Sequence, residues 1–292
     1  MIRLWNGVPA ACFDSLPAVQ IRGGLAVYQN NYDWLQTYAQ TDGGRVTALL
    51  QRQEQRWIVE TAEQADIAEI AAFLRLFGGR IFCRKTVAQA LGLRVLHTAQ
   101  VLRWPPDRVI EPSPDLAQWV AYPAYRQIYA LLAQYFDLPD YDGFVSDLSF
   151  RIRRDGARVL VAPAAVCIVG WETSDAAVIS ALAVDPAHRR QGVGSALLQQ
   201  ALATLKSKTV YVYTDTAVAF YRRWGAVAAE PTVWGKWPEP LQKTVMAKQE
   251  ETNAGQTSTG LFSSGFPDHT GRAAGAGAGR TAVWRDRPGD GI

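Results

Sequence analysis

Val184-Asp185-Pro186-Ala187-His188-Arg189-Arg190-Gln191-Gly192-Val193-Gly194-Ser195-Ala196-Leu197 packs two glycines, three side chains able to carry positive charge and a helix start into one short stretch. Upstream, Ala176–Val184 is a run of β-branched and small apolar residues, which predicts a strand. Downstream, Val193, Ala196, Leu197, Leu202 and Leu205 recur at helical spacing, which predicts a helix over Val193–Leu205. The first turn of a helix carries N–H groups without intrahelical partners and a partial positive charge. Glycine lets a ligand approach that backbone with no Cβ in the way. Arg189 and Arg190 add mobile charge suited to a phosphate. Strand, glycine loop and helix start together predict a nest for a pyrophosphate.

Two other phosphate loops fit worse. A dinucleotide fingerprint needs glycine or alanine at its sixth position, where this chain has Leu197. A Walker A loop needs Gly-Lys before Ser or Thr, and here Gly194 is followed directly by Ser195. The rest of the composition narrows the class. With 292 residues and 48% hydrophobic content the chain can bury a core, in one large domain or two. A net charge of +3 with no dense basic block gives no reason to expect nucleic acid. Arg151–Arg154 reads as a solvated basic cluster. The three cysteines, Cys12, Cys83 and Cys167, are widely spaced, without disulfide or zinc spacing, which suits a reducing cytoplasm and predicts no metal. Cys83 and Cys167 lie in apolar runs and read as core residues. The first residues lack the apolar core of a signal peptide, and no apolar run reaches the length of a membrane span.

Three zones follow, 1–108, 109–247 and a tail at 248–292. The tail is rich in Gly, Ala and Ser and is expected to be disordered. In the second zone Pro123–Phe136 reads as a helix whose stripe of Tyr125, Ile128, Tyr129, Leu132 and Tyr135 is core packing. Strands are predicted at Arg158–Ala162, Ala165–Trp171, Ala176–Val184, Lys208–Tyr213 and Ala226–Trp234. A helix is predicted at Thr216–Trp224, closed by Gly225 as a left-handed cap. The first zone repeats the order faintly: strands at Arg45–Leu50 and Arg56–Val59, a helix at Asp66–Phe77, a strand at Arg80–Arg84, a short helix at Thr86–Leu91 and a strand at Arg94–Trp104. An α/β (α+β) fold with an internal duplication is expected. Glu60–Ala65 stands where the glycine loop should be and has no glycine, so the first copy has lost its phosphate grip.

Two motifs carry a family likeness. Leu182-Ala183-Val184-Asp185-Pro186-Ala187-His188-Arg189-Arg190-Gln191-Gly192-Val193-Gly194 is similar to the strand and pyrophosphate loop of the GNAT superfamily of acyl-CoA-dependent N-acetyltransferases. Ala217-Val218-Ala219-Phe220-Tyr221-Arg222-Arg223-Trp224-Gly225-Ala226 resembles the same family's Ala-x-x-Phe-Tyr-x-x-x-Gly-Phe segment. The resemblance covers about 125 to 235. It implies a mixed sheet that splays beside the cofactor, in tandem with a degenerate copy. It implies acetyl-CoA as cosubstrate, with the backbone of Leu182, Ala183 and Val184 on the pantetheine. Arg189, Arg190, Gln191, Gly192, Val193, Gly194 and Ser195 would hold the diphosphate, and Tyr221 would protonate the departing thiolate. A phenol suits that task, since its ordinary pKa near 10 keeps it protonated at neutral pH.

Some positions depart from the family. Thr214 stands where the family often has Asn; it or Asp215 is expected to contact the cofactor. The strand carboxylate the family often carries is absent, since Val178 and Ser180 occupy the matching positions. Glu172, at the preceding turn, is the nearest candidate base; the other reading makes it a solvated turn residue, with the amine losing its proton through water. His188 reads as a surface residue. The expected function is transfer of an acetyl group to a primary amine, on a small molecule or a peptide, by direct attack. The alternative is a non-catalytic acyl-CoA-binding sensor or scaffold. Neither nucleic acid nor membrane is an expected partner. Monomer and homodimer both stay open, although an internal twin lessens the need for a second subunit.

Overall fold

The computed structural model describes residues 1–7, 13–110 and 117–238; Cys12 and the tail expected at 248–292 lie outside them. The first half runs β1 (Ile2–Leu4), α1 (Leu16–Tyr28), β2 (Leu35–Asp42), β3 (Arg45–Gln53), β4 (Arg56–Thr61), α2 (Ile67–Phe77), β5 (Arg80–Arg84), α3 (Lys85–Ala90) and β6 (Arg94–Trp104). The second runs β7 (Gln118–Val120), α4 (Tyr125–Leu132), α5 (Tyr141–Ile152), β8 (Arg158–Ala162), β9 (Ala165–Glu172), β10 (Ala176–Val184), α6 (Val193–Thr204), β11 (Thr209–Thr214), α7 (Val218–Arg223) and β12 (Val227–Lys236).

All the strands join one 12-stranded sheet in the order β1-β2-β3-β4-β5-β12-β6-β11-β10-β9-β8-β7. Raising each label of the first half by six gives its counterpart, and the order then reads alike from both ends. The parallel pairs are β4 with β5 and β10 with β11, again counterparts. The duplication is therefore built into the sheet. The halves are not closed units, however. β6 pairs with β12 and β11, both from the second half, and β12 pairs with β5 and β6, both from the first. Each half has lent its last strand to the other.

Helices cover both faces, as a mixed sheet without a wet side requires. Strand alternation sorts the side chains: Val210 and Val212 of β11 face α6 and α7, whereas Tyr211 faces the α1 side. α2 and α3 share the face of α6 and α7, over Ile81, Cys83 and Val233. α4 and α5 share the face of α1, over Val159, Ile168, Ala181 and Ala183. Cys83 and Cys167 are buried core residues, as expected. Burial pushes the Cys167 thiol up to about 12, so it is inert as a nucleophile.

Several expectations need correction. The tyrosine-bearing helix is shorter than Pro123–Phe136, spanning Tyr125–Leu132; Ile128 and Leu132 are its buried positions. Arg151 is not part of a solvated cluster. It is 2% exposed, donates through Nη1 to the Gly170 carbonyl at 2.6 Å, pairs with Asp147 and stacks over Trp171. A buried guanidinium needs such partners to offset its lost hydration. Asp147 also accepts from Tyr28 of α1, so this cluster ties the first half to the second.

Candidate active site

β10 and β11 run side by side only from Ala176↔Thr209 to Ile179↔Val212. β10 then continues to Val184 and β11 to Thr214 without pairing to each other, each still held on its other side, by β9 and β6. A register shift in the β9–β10 ladder, with Ile179 opposite Val169 and Ala181 opposite Ile168, marks where the strands diverge. The resulting splay leaves the β11-facing edge of Leu182, Ala183 and Val184 without a partner strand, among the described residues. Ser180 sits at that bulge against Gly170, where an added Cβ would lie 2.1 Å from the Ser180 Oγ.

At the far end of β10, Asp185 caps a short turn by accepting from the Ala187 N–H at 2.9 Å. The chain then passes through Arg190 at φ 60° and Gly192 at φ 82° into α6. Left-handed residues thus stand on either side of Gln191, and such conformations are the ones from which anion-binding nests are built. No side chain caps α6, and no acidic residue lies in its first turn. Gly194 lies against β10, where a Cβ would meet the Val184 Cγ2 at 3.2 Å. Arg189 is laid over the Tyr135 ring at 4.8 Å, while Arg190 and Gln191 are exposed. The loop residues are thus gathered at one helix start, beside the open edge of β10.

The matching place in the first half is built in the opposite sense. α2 begins with Asp66, whose carboxylate accepts from the Glu69 N–H at 3.0 Å. Glu69, the third residue of α2, accepts from the Ile2 N–H at 2.9 Å and from Gln40 at 2.7 Å. Burial works to raise the Glu69 carboxyl, but the hydrogen bonds from Gln40, the amino terminus and Ile2 outweigh it and leave it below the ordinary range. This helix start carries its own carboxylates, and they repel a phosphate. The strand ends beside it are clasped as well, just past the last pair, Val59↔Cys83. Arg84 donates to Glu60 at 2.7 Å, to Glu230 at 2.8 Å and to the Thr61 carbonyl at 2.7 Å, bridging the ends of β4 and β5. Burial raises the Glu60 carboxyl against the pull of Arg84. A cavity of about 500 Å³ opens here, lined by Asp14, Glu60, Arg84, Arg103, Tyr211 and Glu230 among others. The loss of phosphate grip read from Glu60–Ala65 thus has a physical form.

The remaining expected residues fall in different places. Thr214, 4% exposed, ends β11, and its Oγ1 accepts from the N–H groups of Thr216 and Ala217. It shapes the turn into α7. Tyr221 on α7 is 3% exposed and packs edge-on against Trp104 of β6, on the α6 face of the sheet. Gly225 has φ 79° and closes that helix as a left-handed cap. Glu172 is removed from the site. It lies opposite Ala177, in the paired part of β10, and about 3.3 Å per residue puts it roughly 16 Å along the strand from Leu182. It is also held by Arg158 at 2.7 Å and Lys208 at 2.7 Å. His188 is exposed. One pair was missed. His97 of β6 places Nε2 3.1 Å from the Asp215 Oδ2, just past the end of β11. No local signal marks it, because its two residues are joined only by the exchanged strand.

Residues 152–225 match the family model described as an acetyltransferase (GNAT) domain. That match lies within the second half, from the end of α5 to the close of α7. Among solved structures, a GCN5-related N-acetyltransferase from Sphaerobacter thermophilus matches with TM-score 0.50 and 14% identity, covering 80% of this chain and 94% of that one. A tandem GNAT protein from the clavulanic acid biosynthesis pathway matches with TM-score 0.50 and 14% identity, covering 78% of this chain and 89% of that one. The comparison with curated proteins found no match. At such identities the likeness is one of fold, and it extends the GNAT architecture over the first half. Domain and fold together support acyl transfer. Among the described residues, no His, Cys, Asp or Glu group could hold a metal ion, and no helix is long and apolar enough to cross a membrane.

Proposed function

We propose that this chain is an N-acetyltransferase that moves an acetyl group from acetyl-CoA to a primary amine by direct attack, at one site in its GNAT domain. The observation that carries the reading is the contrast between two counterpart helix starts. α6 opens on Gly192 with no carboxylate in its first turn, whereas α2 opens on Asp66 and Glu69. A helix start that is electropositive, uncapped and approachable through glycine suits a diphosphate.

The residues present fit the cosubstrate. Val193, Gly194 and Ser195 offer first-turn N–H groups, with Arg189, Arg190 and Gln191 beside them. The edge of Leu182–Val184 that no described strand covers runs toward the bulge at Ser180 and would pair with pantetheine amides as an added strand does. N–H groups of that strand would polarise the carbonyl, and Tyr221 would return a proton to the thiolate. Holding an amine against a thioester in the right geometry supplies much of the acceleration.

The test is release of free thiol from acetyl-CoA with a panel of polyamines, amino acids, aminoglycosides and peptides. Tyr221→Phe is expected to slow turnover by about a hundredfold or more while acetyl-CoA still binds. A second reading, an acyl-CoA sensor, draws on Val178 and Ser180 occupying the positions where a strand carboxylate is expected. Tight binding with no turnover on any amine would favour it.

A further inference from the structure

We infer that His97, held by Asp215, is the base that takes the proton from the acceptor amine, so that the catalytic site is completed by a strand of the other half. The inference rests on the acetyltransferase reading above and supplies the group that β10 lacks.

Three observations place it there. First, β6 lies directly beside β11, with Thr214 opposite Gln100, so the segment just before Gln100 runs past the end of β11. His97 is on that segment, and Asp215 is the residue that follows Thr214. Second, the pair sits on the correct face. His97 is opposite Trp234, which packs in the α1-side cluster, whereas Tyr221 packs in the cluster under α6 and α7. The splay therefore has a base on one face of the sheet and an acid on the other. An amine approaching from the α1 face and a thiolate leaving toward the α6 face would not compete for space. Third, the pair is reachable: the His97 and Asp215 side chains are 37% and 28% exposed.

The chemistry balances. With a proton on Nε2 directed at Asp215, the Nδ1 lone pair is free to accept. The carboxylate fixes that tautomer and stabilises the imidazolium that forms, as an orienting carboxylate does elsewhere. The ammonium of the acceptor gives one proton to His97 Nδ1, which passes it to solvent. The neutral nitrogen bonds to the carbonyl carbon, and the carbon–sulfur bond breaks. Tyr221 supplies the thiolate's proton and is restored by the second proton leaving nitrogen. The net products are the amide, the free thiol and one proton.

The test uses the full chain, acetyl-CoA and the amine panel. Calorimetry first asks whether acetyl-CoA binds; if it does not, the acetyltransferase reading itself fails, and this inference with it. If it binds, His97→Ala is expected to keep its Kd within about twofold of wild type. Thiol release should fall about a hundredfold or more, and added imidazole should restore at least tenfold. Asp215→Asn should show a smaller loss. Should no amine in the panel turn over, imidazole NMR gives a second readout. The chain has three histidines, so His97→Gln assigns the signal. Bound acetyl-CoA is expected to shift the His97 resonances. Unchanged turnover in His97→Ala, a loss that imidazole does not restore, or His97 resonances unmoved by bound acetyl-CoA would each overturn the inference.

Discussion

Arg84 ties the ends of β4 and β5 to β12 in the first half's counterpart of the proposed site. Its three donors join Glu60, Glu230 and the Thr61 carbonyl, and Glu60 is 1% exposed. Removing one partner of a buried pair strands the other charge, at about 3–5 kcal/mol. Arg84→Met is expected to lower stability by about 3 kcal/mol, since Arg84 is itself partly hydrated, read by chemical denaturation. It should not create a second acyl-CoA site, because Asp66 and Glu69 still guard α2. Asp175 gives a pH test. Burial works to raise its carboxyl, but hydrogen bonds from Arg22 of α1 and from Thr173 outweigh it and leave it below the ordinary value. A carboxyl lowered in the folded state stabilises above its unfolded pKa, and that contribution is lost as pH falls through the folded value. Wild type should therefore exceed Asp175→Asn in melting temperature near neutrality, and the two should converge as the pH drops below the carboxylate range.

At the scale of elements, the two counterpart helix starts differ in charge, and the proposed function rests on that difference. Ser195 is the third residue of α6, as Glu69 is of α2. Ser195→Glu transplants the carboxylate. It should hold or raise stability by about 0.3–1 kcal/mol, through favourable placement at a helix start. It should also weaken acetyl-CoA binding at least tenfold, measured by calorimetry. The glycine loop and the start of α6 were legible because their signals are local: glycines, basic residues and periodicity lie within a few positions of one another. β8 and β10 agree with their sequence-based bounds for the same reason, each being a compact apolar run ended by turn residues, and β5 and β6 agree as well. α1 was not legible. Nearly every position from Leu16 to Tyr28 is buried, so it shows no polar face and hence no helical period. Its start is marked only by Ser15, whose Oγ accepts from Ala18 N–H at 3.2 Å, and by Pro17.

At the scale of the molecule, the exchange of β6 and β12 is what sequence could not show. Both strands were visible as strands, but strand order in a sheet is a long-range property. Periodicity says which residues face the core and not which strand lies alongside. With strand order hidden, nothing in the sequence placed His97, in the zone 1–108, beside Asp215, in the zone 109–247. The exchange predicts that neither half folds alone, because each would lack an interior strand and expose an open sheet edge. Expressed separately, 1–108 and 109–247 should be insoluble or unfolded by circular dichroism; expressed together, they should co-purify as one complex.

The central claim is that a single helix start in this chain, that of α6, receives the diphosphate of an acyl-CoA. Calorimetric titration of the full chain with acetyl-CoA tests it most directly. One site per chain, weakened at least tenfold by Ser195→Glu and unchanged by Glu69→Ser, is the predicted result. No binding, two sites per chain, or binding indifferent to Ser195→Glu would contradict it.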